Sequence, residues 1–225
     1  KYGNFKNVNV LLAENGITKA ERFLFDIGMS SRQIDESGRG FSFKKDEPLL
    51  MTFEREGTTG VYTAREVVND WQEESLVDIL YGFGEERYAK KIAKGIVESR
   101  KTKPIKTTTD LVNIILASTP KSYHHGKIHP ATRTFQAIRI AVNGELDAIT
   151  EGLKTAWSLL TPQGRIAVIS FHSLEDRIVK QYFNELKKEG TGKVITKKPL
   201  TATEEEINKN PRSRSAKLRI IEKIN

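Results

Sequence analysis

Arg165-Ile166-Ala167-Val168-Ile169-Ser170-Phe171 leaves this chain few ways to fold. The run is continuous, β-branched and short, so it reads as a buried strand of a parallel sheet. It is entered from the longest periodic stretch of the sequence. Phe135, Ile138, Val142, Leu146, Ile149, Leu153, Ala156 and Leu160 step by three or four. That spacing predicts one helix of about 27 residues, stopped at Thr161-Pro162-Gln163-Gly164. His172-Ser173 leads out into another helix, with Leu174, Ile178, Tyr182 and Leu186 expected inward. A strand flanked by helices is the unit of an α/β fold.

A second strand is expected at Arg22-Phe23-Leu24-Phe25, after a short helix over 6–15 and before Asp26-Ile27-Gly28. Residues 35–62 are rich in Gly, Ser, Asp and Glu and read as irregular. Helices are expected over 63–70, 73–82, 85–99 and 107–117, the last capped by Thr109 or Asp110. Strands are expected at 193–197 and 217–224, with a short acidic helix over 203–210 between them. An all-helical block between the strands at 22–25 and 165–171 is too long for one crossover, so it reads as an insert. The expected division is an α/β domain of residues 1–37 and 131–225 and a helical insert of residues 38–130.

The charge narrows the partners. The chain of 225 residues carries a formal charge of +8. Residues 187–225 hold 11 basic and 5 acidic side chains, and residues 87–106 hold 8 and 1, so the remainder is negative. Two basic segments on a mildly acidic body point to a polyanion, nucleic acid before membrane, since no amphipathic terminal helix with exposed aromatics accompanies them. No apolar run is long enough to span a bilayer. The absence of cysteine excludes disulfide scaffolds, thiolate metal sites, iron–sulfur chemistry and a Cys nucleophile, and fits a reducing compartment.

In open α/β sheets ligands bind beyond the carboxyl ends of strands. Asp26 and His172-Ser173 stand at two such ends. Asp26 reads either as an acceptor for a cofactor or substrate amine or as a turn-forming Asp. Ser170 to Arg177 gathers Ser, His, Asp and Arg, but His172 and Ser173 are neighbours and no G-x-S-x-G elbow is present, so a hydrolase triad is excluded. Ser173 and Asp176 read as a capping pair. His172 is left facing the cleft. His124, His125 and His129 share one loop without a fourth ligand, so no metal is expected. Lys127, His129 and Arg133 read as phosphate contacts. Arg139 reads as either internally paired or lining the cleft.

Four blocks resemble one family. They are Asp26-Ile27-Gly28-Met29-Ser30-Ser31-Arg32-Gln33 with Arg39-Gly40-Phe41-Ser42-Phe43, the stretch from Lys127 to Ile140, the stretch from Ile169 to Arg177, and Asn210-Pro211-Arg212-Ser213-Arg214-Ser215 with Leu218-Arg219. In this order they resemble the bacterial methyltransferases that modify N4 of a decoding-site cytosine in 16S rRNA with S-adenosylmethionine. The resemblance implies a class I, Rossmann-like α/β methyltransferase sheet with a helical insert that recognises RNA. It implies a cytoplasmic enzyme acting on 16S rRNA or the small ribosomal subunit, with no membrane partner, and leaves monomer and homodimer both open. It carries cofactor contact to Phe5, Asp26 and Gln33, with Phe5 on the adenine. It carries substrate contact to Lys127, His129, Arg133, Arg139, Ser173 and Arg177. Asp26 and His172 become candidates to accept the amine proton, along with a nearby backbone carbonyl.

Two departures from the family pattern stand out. The family's Gly-rich G-G-H cofactor loop precedes the position of Phe5 and has no equivalent here. The chain opens Lys1-Tyr2-Gly3 without a methionine, and the resemblance implies that about 60–80 residues of the first two βα units are absent from the given sequence. Pro48-Leu49-Leu50-Met51-Thr52-Phe53 stands where the family has P-L-D-M-R-M. The zero cysteines argue separately against C5 methylation, which needs a Cys adduct. Phe41, Phe43 or Phe171 is expected to stack the target base. A non-catalytic RNA-binding module is the rival expectation.

Overall fold

β1 (Ala20–Asp26) and β2 (Leu160–Ser170) pair in parallel, although 133 residues of chain separate them. The computed structural model describes residues 3–54, 58 and 60–225. The opening Lys1-Tyr2 and residues 55–57 and 59 of the stretch expected to be irregular lie outside the described residues. In chain order the helices before β2 are α1 (Val8–Ala13), α2 (Ser31–Asp35), α3 (Ala64–Asp70), α4 (Glu73–Gly82), α5 (Ala89–Thr102), α6 (Thr108–Ser118), α7 (Lys121–His124), α8 (Ala131–Asn143) and α9 (Glu145–Leu159). After β2 come α10 (Ser173–Lys188), β3 (Gly192–Val194), β4 (Leu200–Thr201), α11 (Glu204–Lys209) and β5 (Lys217–Lys223). Among the described residues, no helix is long and apolar enough to cross a membrane.

The chain forms two compact units, residues 3–28 with 145–225, and residues 29–144. The first is α/β. Its sheet runs β1-β2-β5-β3, with β4 also on β5. The β1–β2 pair is parallel and β5 is antiparallel to both β2 and β3, so the sheet is mixed. Along β2, Ile166, Val168 and Ser170 are buried while Ala167 and Ile169 are only half-buried. One face is therefore better covered than the expected two-sided burial. Ile166, Val168 and Ile221 pack with Phe25, Ile149, Leu153, Ala156, Val179 and Phe183 in one apolar core.

The second unit is helical and has a separate core, built on Leu49, Met51, Leu76, Leu80, Ile92, Ile96, Leu111, Ile115, Phe135 and Ile138. Its helices start where the sequence offers side-chain acceptors. Thr63 accepts from the Glu66 N–H and Thr107 from the Asp110 N–H, each in a reciprocal capping box. The cap of α6 is thus Thr107, with Asp110 at its third position, rather than Thr109 or Asp110 itself.

The structure differs from the sequence expectations at several places, and Thr161-Pro162-Gln163-Gly164, expected as the stop before the strand, lies within β2. The single long helix is two, because Gly144 at φ 57° ends α8 in the left-handed conformation. Residues 131–143 accordingly pack in the helical unit, which spans 29–144 instead of the expected 38–130. On α10 the buried positions are Leu174, Glu175, Asp176, Val179, Phe183 and Leu186, while Ile178 and Tyr182 are half-buried. The last region contributes three strands rather than two, with β4 added to β5.

Candidate active site

The register Asp26↔Ile169 brings the carboxyl ends of β1 and β2 side by side. The Ile27 N–H donates to Ile169 O at 3.1 Å and carries the pairing one residue further. Asp26 Oδ1 then accepts the Gly28 N–H at 3.1 Å. This local bond orients the carboxylate while the residue stays exposed. Gly28 has a steric reason to be glycine: a Cβ there would overlap the ring of Phe171, which leaves the end of β2. The two strand ends therefore meet as a carboxylate, a bare backbone turn and an aromatic ring.

Phe5 opens a short 3-10 helix, Phe5–Asn7, capped by the Asn4 side chain. Its ring meets Phe25 edge-on at 5.8 Å. It also lies over Gly152, where a Cβ would stand 2.7 Å from the ring. Phe5 is thereby a half-buried aromatic anchored on the same strand that ends in Asp26. An exposed carboxylate and a fixed aromatic suit a cationic cofactor bearing a purine, so the residues present fit S-adenosylmethionine.

His172 caps α10, which corrects the expected Ser173–Asp176 pair. Its Nδ1 accepts the Glu175 N–H at 3.4 Å. Glu175 Oε2 returns the interaction by accepting from Phe171 N–H at 2.7 Å and His172 N–H at 3.1 Å. Glu175 can be buried because these backbone donors replace water. His172 Nε2 lies 3.1 Å from Glu175 Oε1, but is not aligned for a hydrogen bond. Ligand atoms of Glu145, His172 and Glu175 all lie within 4.8 Å of one another. Ser173 and Arg177 are exposed on the first turns of α10.

The remaining candidates belong to the helical unit. Gln33 Oε1 accepts the Ser30 N–H at 2.9 Å, completing the capping box of α2. His129 stacks on Phe43, with ring centroids 4.7 Å apart, and its Nδ1 accepts the Ala131 N–H at 3.2 Å. Burial lowers its pKa, and nearby His124 lowers it further. Arg133 donates to Glu85 O at 2.7 Å, bridging α8 to the loop before α5. Lys127 is exposed, and Arg139 is half-buried on α8. Lys90, Lys91 and Lys94 are exposed on the face of α5 opposite buried Ile92, Ala93 and Ile96.

Sequence reasoning missed Glu175, Glu145 and the partnership of Asp176 with Arg219. The signal for Glu175 was present: a Glu three residues into a helix is the reciprocal member of a capping box. Asp176 and Arg219 each lay in a family block, but nothing local pairs residues 43 apart.

Residues 1–224 match the MraW methylase family. A protein of Synechococcus elongatus named ribosomal RNA small subunit methyltransferase H is 50% identical over 220 residues, covering 98% of this chain and 71% of that protein. Proteins of the same name from Clostridioides difficile and Brevibacillus brevis are 46% and 42% identical, covering 99% and 98% of this chain and 76% and 74% of their own lengths. An α/β sheet whose strand ends gather Asp26, Gly28 and Phe171, matched over nearly its whole length, makes this chain a member of the MraW methylase family of methyltransferases.

Proposed function

We propose that the protein methylates the N4 amine of a decoding-site cytosine in 16S rRNA, in the cytoplasm, with S-adenosylmethionine as donor. The observation that carries the chemistry is Asp26, an exposed carboxylate at paired strand ends, aimed by the Gly28 N–H. S-adenosylmethionine, when bound, would supply an electrophilic methyl group whose bond to the sulfonium sulfur breaks as the methyl passes to the amine, the sulfur leaving as a neutral thioether. Phe5, on the unit that carries Asp26, would hold its adenine, and the cofactor role the resemblance gives Gln33 is kept as a proposal of its own. The cytosine amine is a weak nucleophile because its lone pair is delocalised into the ring. Asp26 accepts a hydrogen bond from that amine, fixes its approach, and takes the proton that becomes acidic as the new N–C bond forms. His172 is a positioning residue, since its acceptor nitrogen is used to cap α10.

RNA recognition is assigned to charge. Lys90, Lys91 and Lys94 would contact phosphates, joined by Lys127, Arg133 and Arg139 of the helical unit and by Ser173 and Arg177 of α10. His129, whose Nδ1 accepts the Ala131 N–H, would present its other ring nitrogen to the RNA.

The test is methyl transfer to small-subunit RNA, with nucleoside analysis of the product. The parent protein is expected to yield N4-methylcytidine, and Asp26→Ala to lose about a hundredfold in rate or more. Retained rate removes Asp26 from the mechanism. Methyl on another atom overturns the N4 assignment. No transfer by the parent overturns the proposal.

A further inference from the structure

The helical unit contains an aromatic stack of Phe41 on Phe53. Phe41 and Phe53 lie with ring centroids 5.2 Å apart and planes 19° from parallel. Phe41 packs against the helical core, whereas Phe53 is 41% exposed. Both line an open cleft of about 620 Å³ shared with Arg32, Gln33 and Arg39.

The backbone around Phe53 is held from two sides. Arg39 Nη1 donates to the carbonyls of Thr52, Phe53 and Glu54 at 3.0, 3.1 and 3.0 Å. Asn143 Oδ1 accepts the Phe53 N–H at 2.9 Å, and its Nδ2 donates to Met51 O at 2.7 Å. Met51, fully buried, takes a left-handed φ of 50° to turn the chain there, a conformation that a side chain of its kind rarely adopts. Hydrogen bonds on both sides of Phe53 thus hold a part-exposed apolar ring in place. Such a ring can receive a flat partner without further ordering.

We propose that the exposed face of Phe53, backed by Phe41, receives an unpaired nucleobase of single-stranded RNA, with the Arg32 guanidinium at the cleft mouth meeting the adjoining phosphate. The occupant follows from chemistry. A nucleobase brings a planar π face to an aromatic stack, and its phosphate brings negative charge to an exposed arginine. Arg32 lies 3.4 Å from Glu36, both well exposed, so water-screened attraction holds it only weakly. The proposal rests on RNA as the substrate class and adds to that reading a named stacking position.

The experiment uses an unstructured oligoribonucleotide of about eight nucleotides with 2-aminopurine at its centre. Fluorescence titrations are run with the parent, Phe53→Leu and Phe53→Trp proteins at several salt concentrations. Expected are quenching on binding to the parent, affinity about tenfold weaker for Phe53→Leu, and retained affinity for Phe53→Trp. The salt slope should be the same for all three, since stacking releases no counterions. If Phe53→Leu fails to fold, Phe53→Met carries the same test, because the flexible Met side chain fills irregular apolar space without offering an aromatic face. Equal affinity of parent and Phe53→Leu overturns the stacking position and leaves the RNA reading intact. A lower salt slope in Phe53→Leu also overturns it, by showing that phosphate contacts were lost instead. A parent protein that binds no single-stranded RNA overturns both.

Discussion

Arg219 grips Asp176 with both arms of its guanidinium, Nε to Oδ1 at 2.6 Å and Nη2 to Oδ2 at 3.0 Å. Lys217 stands 3.5 Å from the same carboxylate. The pair ties the first turn of α10 to β5, the strand beside β2, and so fixes the helix that follows His172.

Removing one partner should cost more than the pair contributes. Both side chains are nearly buried, at 10% and 12% exposure. Asp176→Asn would leave Arg219 with an uncompensated charge, and a loss of about 3 kcal/mol is expected in urea unfolding. Burial alone would raise the Asp176 carboxyl, but hydrogen bonds and charge from Arg219, with help from Lys217, hold it below its usual range. The unfolded chain therefore binds this proton first. The stabilisation is full above about pH 4 and is lost as pH falls through the folded value. Stability measured across that window should fall less steeply for Asp176→Asn than for the parent.

His172 separates capping from chemistry. His172→Ala should lower stability by about 1 kcal/mol, the usual value of an N-cap. His172→Asn supplies another cap acceptor and should recover both stability and methyl transfer. Recovery of stability without activity would place His172 in the proton transfer itself.

Gly28 and Phe171 should be coupled. A methyl group at Gly28 overlaps the Phe171 ring, so Gly28→Ala is expected to cost about 1–3 kcal/mol and to displace Asp26. Phe171→Leu in the same protein should relieve part of that loss. A double-mutant cycle with no interaction energy would mean that the ring moves aside freely.

The stacked His129 makes its own pH test. Burial first and His124 second lower its pKa, so the unfolded state takes up the proton earlier as pH falls. Its contribution is full above about pH 6.5 and diminishes below that value. Stability between pH 7 and 5 should decline less steeply for His129→Phe, which keeps an aromatic ring against Phe43.

The basic face of α5 predicts a salt effect. Replacing Lys90, Lys91 and Lys94 together by Ala should weaken RNA binding and reduce the slope of log affinity against log salt by about 2, from about 0.7 per single-strand phosphate contact. An unchanged slope would place the phosphate contacts elsewhere.

Much of the secondary structure was legible because it is local. The β-branched run at Arg165–Phe171, the apolar steps of α5 and α6, and Thr63 ahead of Glu66 each act over a few residues. Gly144 shows where periodicity misleads. The apolar steps run through it without interruption, yet Asn143-Gly144 is itself a stop signal. The two halves of the stripe enter different cores. On α10 the expected inward face missed Glu175 and Asp176, since a burial pattern built on apolarity has no place for an acid whose partners are a backbone turn and a distant arginine.

The blocks carrying Asp26, His172 and Arg219 sufficed to identify the family, because they are long and in order. The strand ends, with a carboxylate next to Gly28, were likewise readable from adjacent residues. Only the tertiary structure decided that Arg219 faces Asp176, that Arg39 and Asn143 hold Phe53 in place, and that Gly28 is bare for the sake of Phe171. The reason is physical. A buried charge, an exposed ring or a missing Cβ is unfavourable in isolation, and becomes tolerable only through a partner that packing brings from far along the chain.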